Sequence, residues 1–422
     1  MNAAAPIAPA RIGWPGATLL ILAGVVSAFH VGKPSAVLAQ LQADLGVATA
    51  TAAWLVSASG IVGAVAGTPV GLLVDRLGAR RMTVLGLAVQ ALASAAGALA
   101  TAPAWLLASR VLEGLGFQWV VVAAPAWIAG AMRPGTAAAM AAWSTFMPAG
   151  LAAALLSAAF LPATAGWDVL WWSAAVLALA LAVAIRFALP EPPFAEASRS
   201  RSIRGDLAAA WQARSPVLLA LLFGLFNALY FAVYGFLPML LQQASQAVGI
   251  QPQVLAAAAV GASAAGNLAG LAVLAKGLRP TRLLAGAFAG LAACSVPILL
   301  DMAMSAWLRI AASIAFGAVA GLIPAALFAE APARTPRPGM QGLVIGLMMQ
   351  GGNVGMSIGT PLAGLVATAF GWPSVIAVVA ALSAVAIVAV RALPRCGMRR
   401  RVLSAPCRSP RRASPCAPGR RR

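Results

Sequence analysis

Long, uniformly apolar stretches set the pattern of this 422-residue chain. Ala, Leu, Val and Gly recur for about 20 residues at a time, the length a helix needs to cross a hydrocarbon core. Charges, Pro-Gly pairs or Gly-Trp pairs bound each run. Twelve runs are legible, at roughly 16–40, 51–74, 82–102, 104–130, 137–162, 169–189, 215–241, 252–275, 283–303, 305–331, 341–368 and 373–393. Strands of a transmembrane barrel would alternate polar and apolar residues, and these runs do not. The pattern predicts an all-α integral membrane protein with twelve transmembrane helices. The first run is too long for a signal-peptide core, although small residues near its end mimic a cleavage site, and it reads as an uncleaved first span.

Composition excludes the soluble classes. Hydrophobic residues make up 62% of the chain and charged ones 9%, against roughly 25% charged in soluble domains. The net charge of +20 invites a nucleic-acid reading, but eleven of the 29 basic residues lie from Arg391 onward, where there is no acid. The remainder carries 18 basic and 9 acidic residues, an excess ordinary for an inner-membrane protein with basic cytoplasmic loops. Those charges also orient the chain. With the N-terminus inside, Arg11; Arg76, Arg80 and Arg81; Arg133; Arg199, Arg201, Arg204 and Arg214; Lys276, Arg279 and Arg282; and Arg334 and Arg337 fall in alternate, cytoplasmic segments. The outer loops hold acids such as Asp44, Asp168 and Asp301 instead. Both termini are therefore expected in the cytoplasm. Gaining or losing one span would scramble the alternation.

The two halves repeat. Ala163-Thr-Ala-Gly-Trp167 precedes a span closing at Ala188-Leu-Pro190, and Ala367-Thr-Ala-Phe-Gly-Trp372 precedes one closing at Ala392-Leu-Pro394. Duplicated six-helix halves are a transporter architecture, with the solute site between the repeats near the bilayer midplane. The expected units are an N-terminal bundle over 1–190, a cytoplasmic linker over 191–214, a C-terminal bundle over 215–394 and a basic tail over 395–422. The tail lacks periodicity and reads as a disordered extension, as a binder of anionic lipid heads, or as read-through in a shifted frame. Cys294 lies in an apolar run and Cys396, Cys407 and Cys416 in the tail, without metal or disulfide spacing.

Between spans two and three the chain reads Gly71-Leu-Leu-Val-Asp75-Arg76-Leu-Gly78-Ala79-Arg80-Arg81. A carboxylate at the end of a helix meets a negative dipole and needs a partner. Gly71 permits close helix approach, Gly78 a tight turn, and the arginines sit at headgroup level. The segment resembles the loop motif of the major facilitator superfamily, Gly-x-x-x-Asp-Arg-x-Gly-Arg-Arg, with Ala79 at a usually basic position. The resemblance covers about residues 10–394 and implies two pseudo-symmetric six-helix bundles with Gly71, Asp75, Arg76, Gly78 and Arg80 as a conformational latch. A degenerate copy, Gly270 to Arg279, carries Leu274 in place of the acid. Span four, with Arg110-Val-Leu-Glu113-Gly114-Leu-Gly116, also resembles the family, whose Arg-x-x-x-Gly-x-Gly helix is implicated in coupling. The spaced glycines of its drug antiporters are missing before Met147-Pro148, which weakens a drug-antiport reading.

Ionisable groups inside spans are functional candidates by default. Lys33, Arg110 and Arg309 are the basic ones away from the cytoplasmic face, and Glu113 is the acid at comparable depth. Arg110 and Glu113 are three apart and can pair. The excess of positive charge predicts a cationic central chamber suited to an anion. His30 and Lys33 share a face of span one, and His30 or Glu113 could carry a proton. The structural alternatives are a packed imidazole for His30, an interfacial amine for Lys33, and interface anchoring for Arg309. Asn227, Tyr230 and Tyr234 form one stripe of span seven, equally consistent with a cavity wall and a helix seam. In span eleven Gln350 and Asn353 stand among Gly355, Gly359, Pro361 and Gly364; the small residues suit tight packing and Asn353 suits a ligand.

No nucleotide loop, metal cluster or hydrolytic constellation is present in the sequence, so neither an enzyme nor an ATP-driven pump is expected, and no cofactor. The reading is a monomeric secondary transporter of the bacterial inner membrane. Its partners are the lipid bilayer, a small anionic solute and coupling protons, with no nucleic acid. Lys33, Arg110, Asn227, Tyr230, Tyr234 and Asn353 are the candidate solute contacts, with His30 and Glu113 for the proton. The His-x-x-Lys and Arg-Val-Leu-Glu-Gly pair faintly resembles cyanate- and nitrate-type permeases. Alternatives are efflux of drugs or amphiphilic metabolites, and a transporter-like sensor or scaffold.

Overall fold

The computed structural model describes residues 11–46, 49–132, 134–162, 164–190, 202–300 and 305–394. Arg133, Arg199, Arg201, Asp301, the first part of the linker and the basic tail lie outside the described residues. Seventeen α-helices run in order among those described: α1 Trp14–Ala36, α2 Leu38–Leu45, α3 Thr49–Leu77, α4 Ala79–Ala98, α5 Pro103–Ala131, α6 Thr136–Trp143, α7 Phe146–Ala159, α8 Asp168–Ala188, α9 Ile203–Gln212, α10 Ser215–Tyr234, α11 Leu237–Leu240, α12 Gln242–Val248, α13 Pro252–Ala275, α14 Pro280–Leu299, α15 Ala306–Glu330, α16 Gln341–Phe370 and α17 Val375–Ala392. They supply twelve segments long and apolar enough to span a bilayer.

Three of the expected spans are broken: the first at Val37, between α1 and α2, and the fifth and seventh for local reasons that hydropathy does not register. In span five, α6 ends where Ser144 and Thr145 turn their hydroxyls onto the carbonyls of Ala141 and Ala142. Pro148 then offers no N–H to the carbonyl of Ser144. The rings of Trp143 and Phe146 stack across the break with centroids 4.8 Å apart. In span seven, α10 stops at Tyr234, because the residue four further on is the proline of α11, which has no amide to offer the Tyr234 carbonyl.

The packing repeats as the sequence does. In the first half α1 lies on α7 and α8, α3 on α5, and α4 on α5 and α8. In the second half α10 lies on α16 and α17, α13 on α15, and α14 on α15 and α17, which is the same set of partners. The fold is thus twelve transmembrane helices in two pseudo-symmetric six-helix bundles. The bundles meet through α3 against α16 and, by the same symmetry, α6 and α7 against α13, with α6 also touching α15 and α5 touching α16.

Along α3, Gly60, Gly63, Gly67 and Gly71 follow one another at three- and four-residue spacing, so they share one face. That face lies on α16. A Cβ at Gly71 would overlap the carbonyl oxygen of Gly342, and one at Gly67 would overlap that of Gly346. Backbone thus meets backbone across the halves, a contact only glycine permits.

Candidate functional site

The expected intramembrane charges come together, but inside the N-terminal bundle instead of on a chamber wall between the halves. His30, Lys33, Arg110 and Glu113 are each 0–1% exposed. His30 and Lys33 project from α1 and Arg110 and Glu113 from α5. Glu113 bridges the two cations: its Oε1 lies 2.7 Å from Lys33 Nζ, and its Oε2 pairs with Arg110 Nη1. The Lys33 ammonium has three protons and three acceptors, adding Ser94 Oγ at 2.5 Å and His30 Nδ1 at 3.4 Å. Ser94 passes its own proton to the carbonyl of Trp171 at 2.7 Å, and the ammonium also stands 4.4 Å from the centroid of the Trp171 ring, a cation–π distance.

A proline explains how Arg110 is held. In a helix the carbonyl of His30 would accept from the amide four residues on, but that residue is Pro34, which has none. Arg110 Nη1 donates to this released carbonyl at 2.7 Å, and Nε donates to Leu55 O of α3 at 3.2 Å. The guanidinium thereby ties α1, α3 and α5 together. His30 Nδ1 stands 3.7 Å from Glu113 Oε1, close enough for an ion pair when the imidazole is protonated. With His30 neutral, the cluster carries one net positive charge.

The expectation of one cationic chamber is corrected in a second respect. Arg309 belongs to the other half, on α15, where it is buried and donates to the carbonyls of Leu240 and Leu300. Those acceptors are at the ends of α11 and α14, whose last carbonyls lack helical donors. Its charge is consumed locally and does not join Lys33 and Arg110.

The span-seven stripe divides by role. Tyr234 donates to Ser313 O at 2.7 Å, with Ala259 O at 3.3 Å, so its hydroxyl occupies the seam of α10, α13 and α15. The Tyr230 ring packs at tilted angles among those of Phe226, Tyr234 and Phe316. Asn227 returns its amide to Phe223 O at 2.8 Å. Tyr234→Phe is expected to lower stability by about 1 kcal/mol, the usual net worth of one hydrogen bond. Thermal unfolding in detergent measures it, and an unchanged midpoint would show that the hydroxyl is not held in the seam.

At the interface of the halves lies a polar group that the sequence only half disclosed. Gln350 inserts its amide into a turn of α3: Nε2 donates to Ala64 O at 3.0 Å, while Oε1 accepts from the Thr68 amide at 3.3 Å and from the Thr68 hydroxyl. One turn further along α16, Asn353 and Gln118 of α5 converge on Gly63, whose missing side chain makes room for both amides. Gln118 is fully buried, and neither end of its amide has a hydrogen-bond partner among the described residues. Nothing in the sequence around Gln118 singled it out, because its signal is the gap left by a glycine on another helix.

The loop motif is split between the halves. Asp75 accepts from the amides of Gly342 at 2.7 Å and Leu343 at 2.8 Å, at the first turn of α16. This positive helix end supplies the partner that a carboxylate at the end of α3 needs. Gly71 packs on Gly342 one turn earlier, and Gly78 makes the turn with φ +96°. Arg80 donates to the carbonyl of Arg186 near the end of α8. Arg76 follows Asp75 in the last turn of α3.

Residues 20–340 match the family model of the Major Facilitator Superfamily. A probable 4-methylmuconolactone transporter of Cupriavidus pinatubonensis is 31% identical over 197 residues, 45% of this chain and 46% of that protein. The methyl viologen resistance protein SmvA of Salmonella typhimurium is 35% identical over 101 residues, 24% of this chain and 19% of that protein. The matches therefore span less than half the length of these curated relatives. Among solved structures, the Escherichia coli fucose:proton symporter FucP superposes with a TM-score of 0.74 over 90% of this chain and 99% of that one, at 16% identity.

Proposed function

Because the chain belongs to the Major Facilitator Superfamily, and so is a membrane transporter and not an enzyme, we propose that it moves a small anionic solute by proton-coupled alternating access. The observation that carries this reading is the Glu113 carboxylate shared by Lys33 and Arg110 with His30 beside it. Two cations held by one acid leave a surplus positive charge in a medium where uncompensated charge is costly. Protonation of Glu113 frees both cations for a carboxylate or similar anion. One proton and one monovalent anion then enter together, and the cluster charge stays at +1. His30 is the group through which the proton reaches Glu113.

Solute recognition divides between this cluster and the interface. Lys33 and Arg110 supply charge, while Asn353, with Asn227 and Tyr230 behind it, supplies polar contact from the other half. Tyr234 acts through the position of Tyr230. We place the protein in the bacterial inner membrane as a monomer, with both termini and the Asp75 end cytoplasmic, working as a symporter. In this arrangement Gly71, Asp75, Arg76, Gly78 and Arg80 form the latch of the inner face. The four units proposed from sequence, 1–190, 191–214, 215–394 and 395–422, fit this arrangement.

A second reading, efflux of cationic or amphiphilic compounds, is favoured by the match to a methyl viologen resistance protein. Proteoliposomes with an imposed pH gradient separate the two. For symport of one proton with one monovalent anion, a gradient of one unit supports about tenfold accumulation of the solute. A panel of labelled carboxylates and inorganic anions is expected to include one that reaches this level, with loss in Lys33→Ala and Arg110→Ala. Extrusion of methyl viologen unaffected by those substitutions would establish the second reading instead.

A further inference from the structure

Carboxamides inside bilayer spans need partners within the protein, because the hydrocarbon offers none. Gln90 accepts from the Ser27 hydroxyl, and Asn227 and Asn353 return their amides to carbonyls of their own helices. Asn267 donates to Ser263 O and accepts from the Ser144 hydroxyl, while Gln350 is paired with α3 at both ends. Gln118 differs. At 0% exposure, neither its oxygen nor its nitrogen has a partner among the described residues. An amide left so has given up its hydration without replacement, so this arrangement of the helices draws nothing from glutamine that an apolar side chain of the same length would not supply.

Its place in the fold gives the amide a use. Gln118 stands midway along α5, Gly63 midway along α3, and Asn353 in the middle third of α16, and these three helices meet where the halves meet. A side chain on Gly63 would collide with both Gln118 Nε2 and Asn353 Nδ2, so one amide from each half converges on the same gap. Asn353 keeps its bond to Met349 O at 2.7 Å, and Gln118 has nothing comparable. The midplane seam between repeats is where an architecture of this kind holds its solute. A carboxamide is uncharged and presents a donor and an acceptor side by side, and a hydroxyl carries the matching acceptor and donor. One solute hydroxyl therefore satisfies both ends of Gln118. A hydrocarbon chain satisfies neither, and an inorganic anion, with no proton to give, leaves Oε1 unpaired.

We infer that Gln118 is a specificity-determining contact for a hydroxyl group of the solute, with Asn353 beside it from the other half, and that the transported anion is a hydroxylated organic acid. This rests on the anion reading proposed above. Gly63 and Asn353 close over Gln118 in the present arrangement, and the solute reaches it when α3 parts from α16. Glu113, whose two cations take the carboxylate, precedes Gln118 by five residues, about 7.5 Å along the helix axis. About six single bonds of extended chain cover the same distance, since three cover about 3.8 Å. That separation of carboxylate and hydroxyl is the one found in 6-hydroxyhexanoate.

Proteoliposomes of the full chain under an imposed pH gradient test this, with labelled 6-hydroxyhexanoate and hexanoate as probes, together with the pairs one carbon shorter and longer. The hydroxylated acid of a pair is expected to enter about tenfold faster, the ratio that one hydrogen bond of ordinary net worth supports. Gln118→Met keeps the length of the side chain and removes both polar ends. In this variant the two acids of each pair are expected to enter equally, at the rate of the unhydroxylated one in the unaltered protein. Its melting temperature in detergent is expected to equal or exceed that of the unaltered chain, because no hydrogen bond within the protein is lost. Equal entry of the paired acids into vesicles of the unaltered protein, or a preference that survives the substitution, would overturn the inference. So would a lower melting temperature, which would show that the protein itself holds the amide. Entry of no acid from any pair removes the anion reading and this inference with it, whereas entry without regard to the hydroxyl removes this inference alone.

Discussion

Glu113→Gln is expected to destabilise the protein by about 3–5 kcal/mol, the cost of breaking a buried ion pair by removing one partner. The substitution keeps the shape of the side chain but removes the charge that Lys33 and Arg110 share. Lys33 then presents an ammonium at 0% exposure to Ser94, His30 and an indole face, none of them anionic. Replacing the whole set, with Lys33→Met, Arg110→Met and Glu113→Met together, is expected to restore stability to near that of the unaltered chain, because the burial penalties vanish together. Proton-driven solute uptake is expected to be absent in both variants. Unfolding of the purified protein in mixed micelles, followed by tryptophan fluorescence, reads the first quantity, and proteoliposome flux reads the second. A Glu113→Gln protein as stable as its parent would mean that the carboxylate does not compensate the two cations.

The second large effect is expected at the seam of the halves. Asp75→Ala removes two charge-assisted hydrogen bonds to the amides of Gly342 and Leu343, each worth about 1.5–3 kcal/mol. A loss of about 3 kcal/mol is already more than a hundredfold in the ratio of closed to open states at that end. Gly71→Val acts in the same direction by steric means, since its side chain has no space beside Gly342. Spin labels introduced through Arg81→Cys and Lys276→Cys, with the native cysteines replaced, lie on the same face in opposite halves. Their distance distribution is expected to lengthen and broaden in either variant. An unaltered distribution in both would show that the latch does not hold this face closed.

The spans were legible because each is predominantly apolar over about 20 residues, so length and composition identify them. The Arg110–Glu113 pair was legible because i, i+3 spacing places two side chains on one helix face. Lys33 was visible as an intramembrane charge, but its partner is 80 residues away on another helix, and no local pattern announces such a contact. The same holds for Ser94, Trp171 and Thr68, polar groups chosen by the packing of one helix on another. Pro34 carried a signal that could have been read: a proline releases the carbonyl four residues before it, and a buried arginine is a suitable donor. The breaks after Trp143 and Tyr234 escaped notice because hydropathy is continuous through them. Arg309 read as an interfacial anchor, since a residue near the start of a span can reach the headgroups. The structure instead brings the ends of α11 and α14 beside it, and their Leu240 and Leu300 carbonyls accept its protons.

Interlocked side chains would oblige two sliding helices to climb over one another, ridge out of groove, at every step of a rocking motion. From Gly67 to Gly71 the face of α3 has no such teeth, because it meets the backbone of α16 there. Its resistance to movement is concentrated in two catches, the Gln350 amide in the middle and the Asp75 carboxylate at the end, with smooth track between them. If the halves rock as proposed, changes at these two positions would alter how readily α3 slides on α16 while leaving the charged cluster inside the N-terminal bundle as it is.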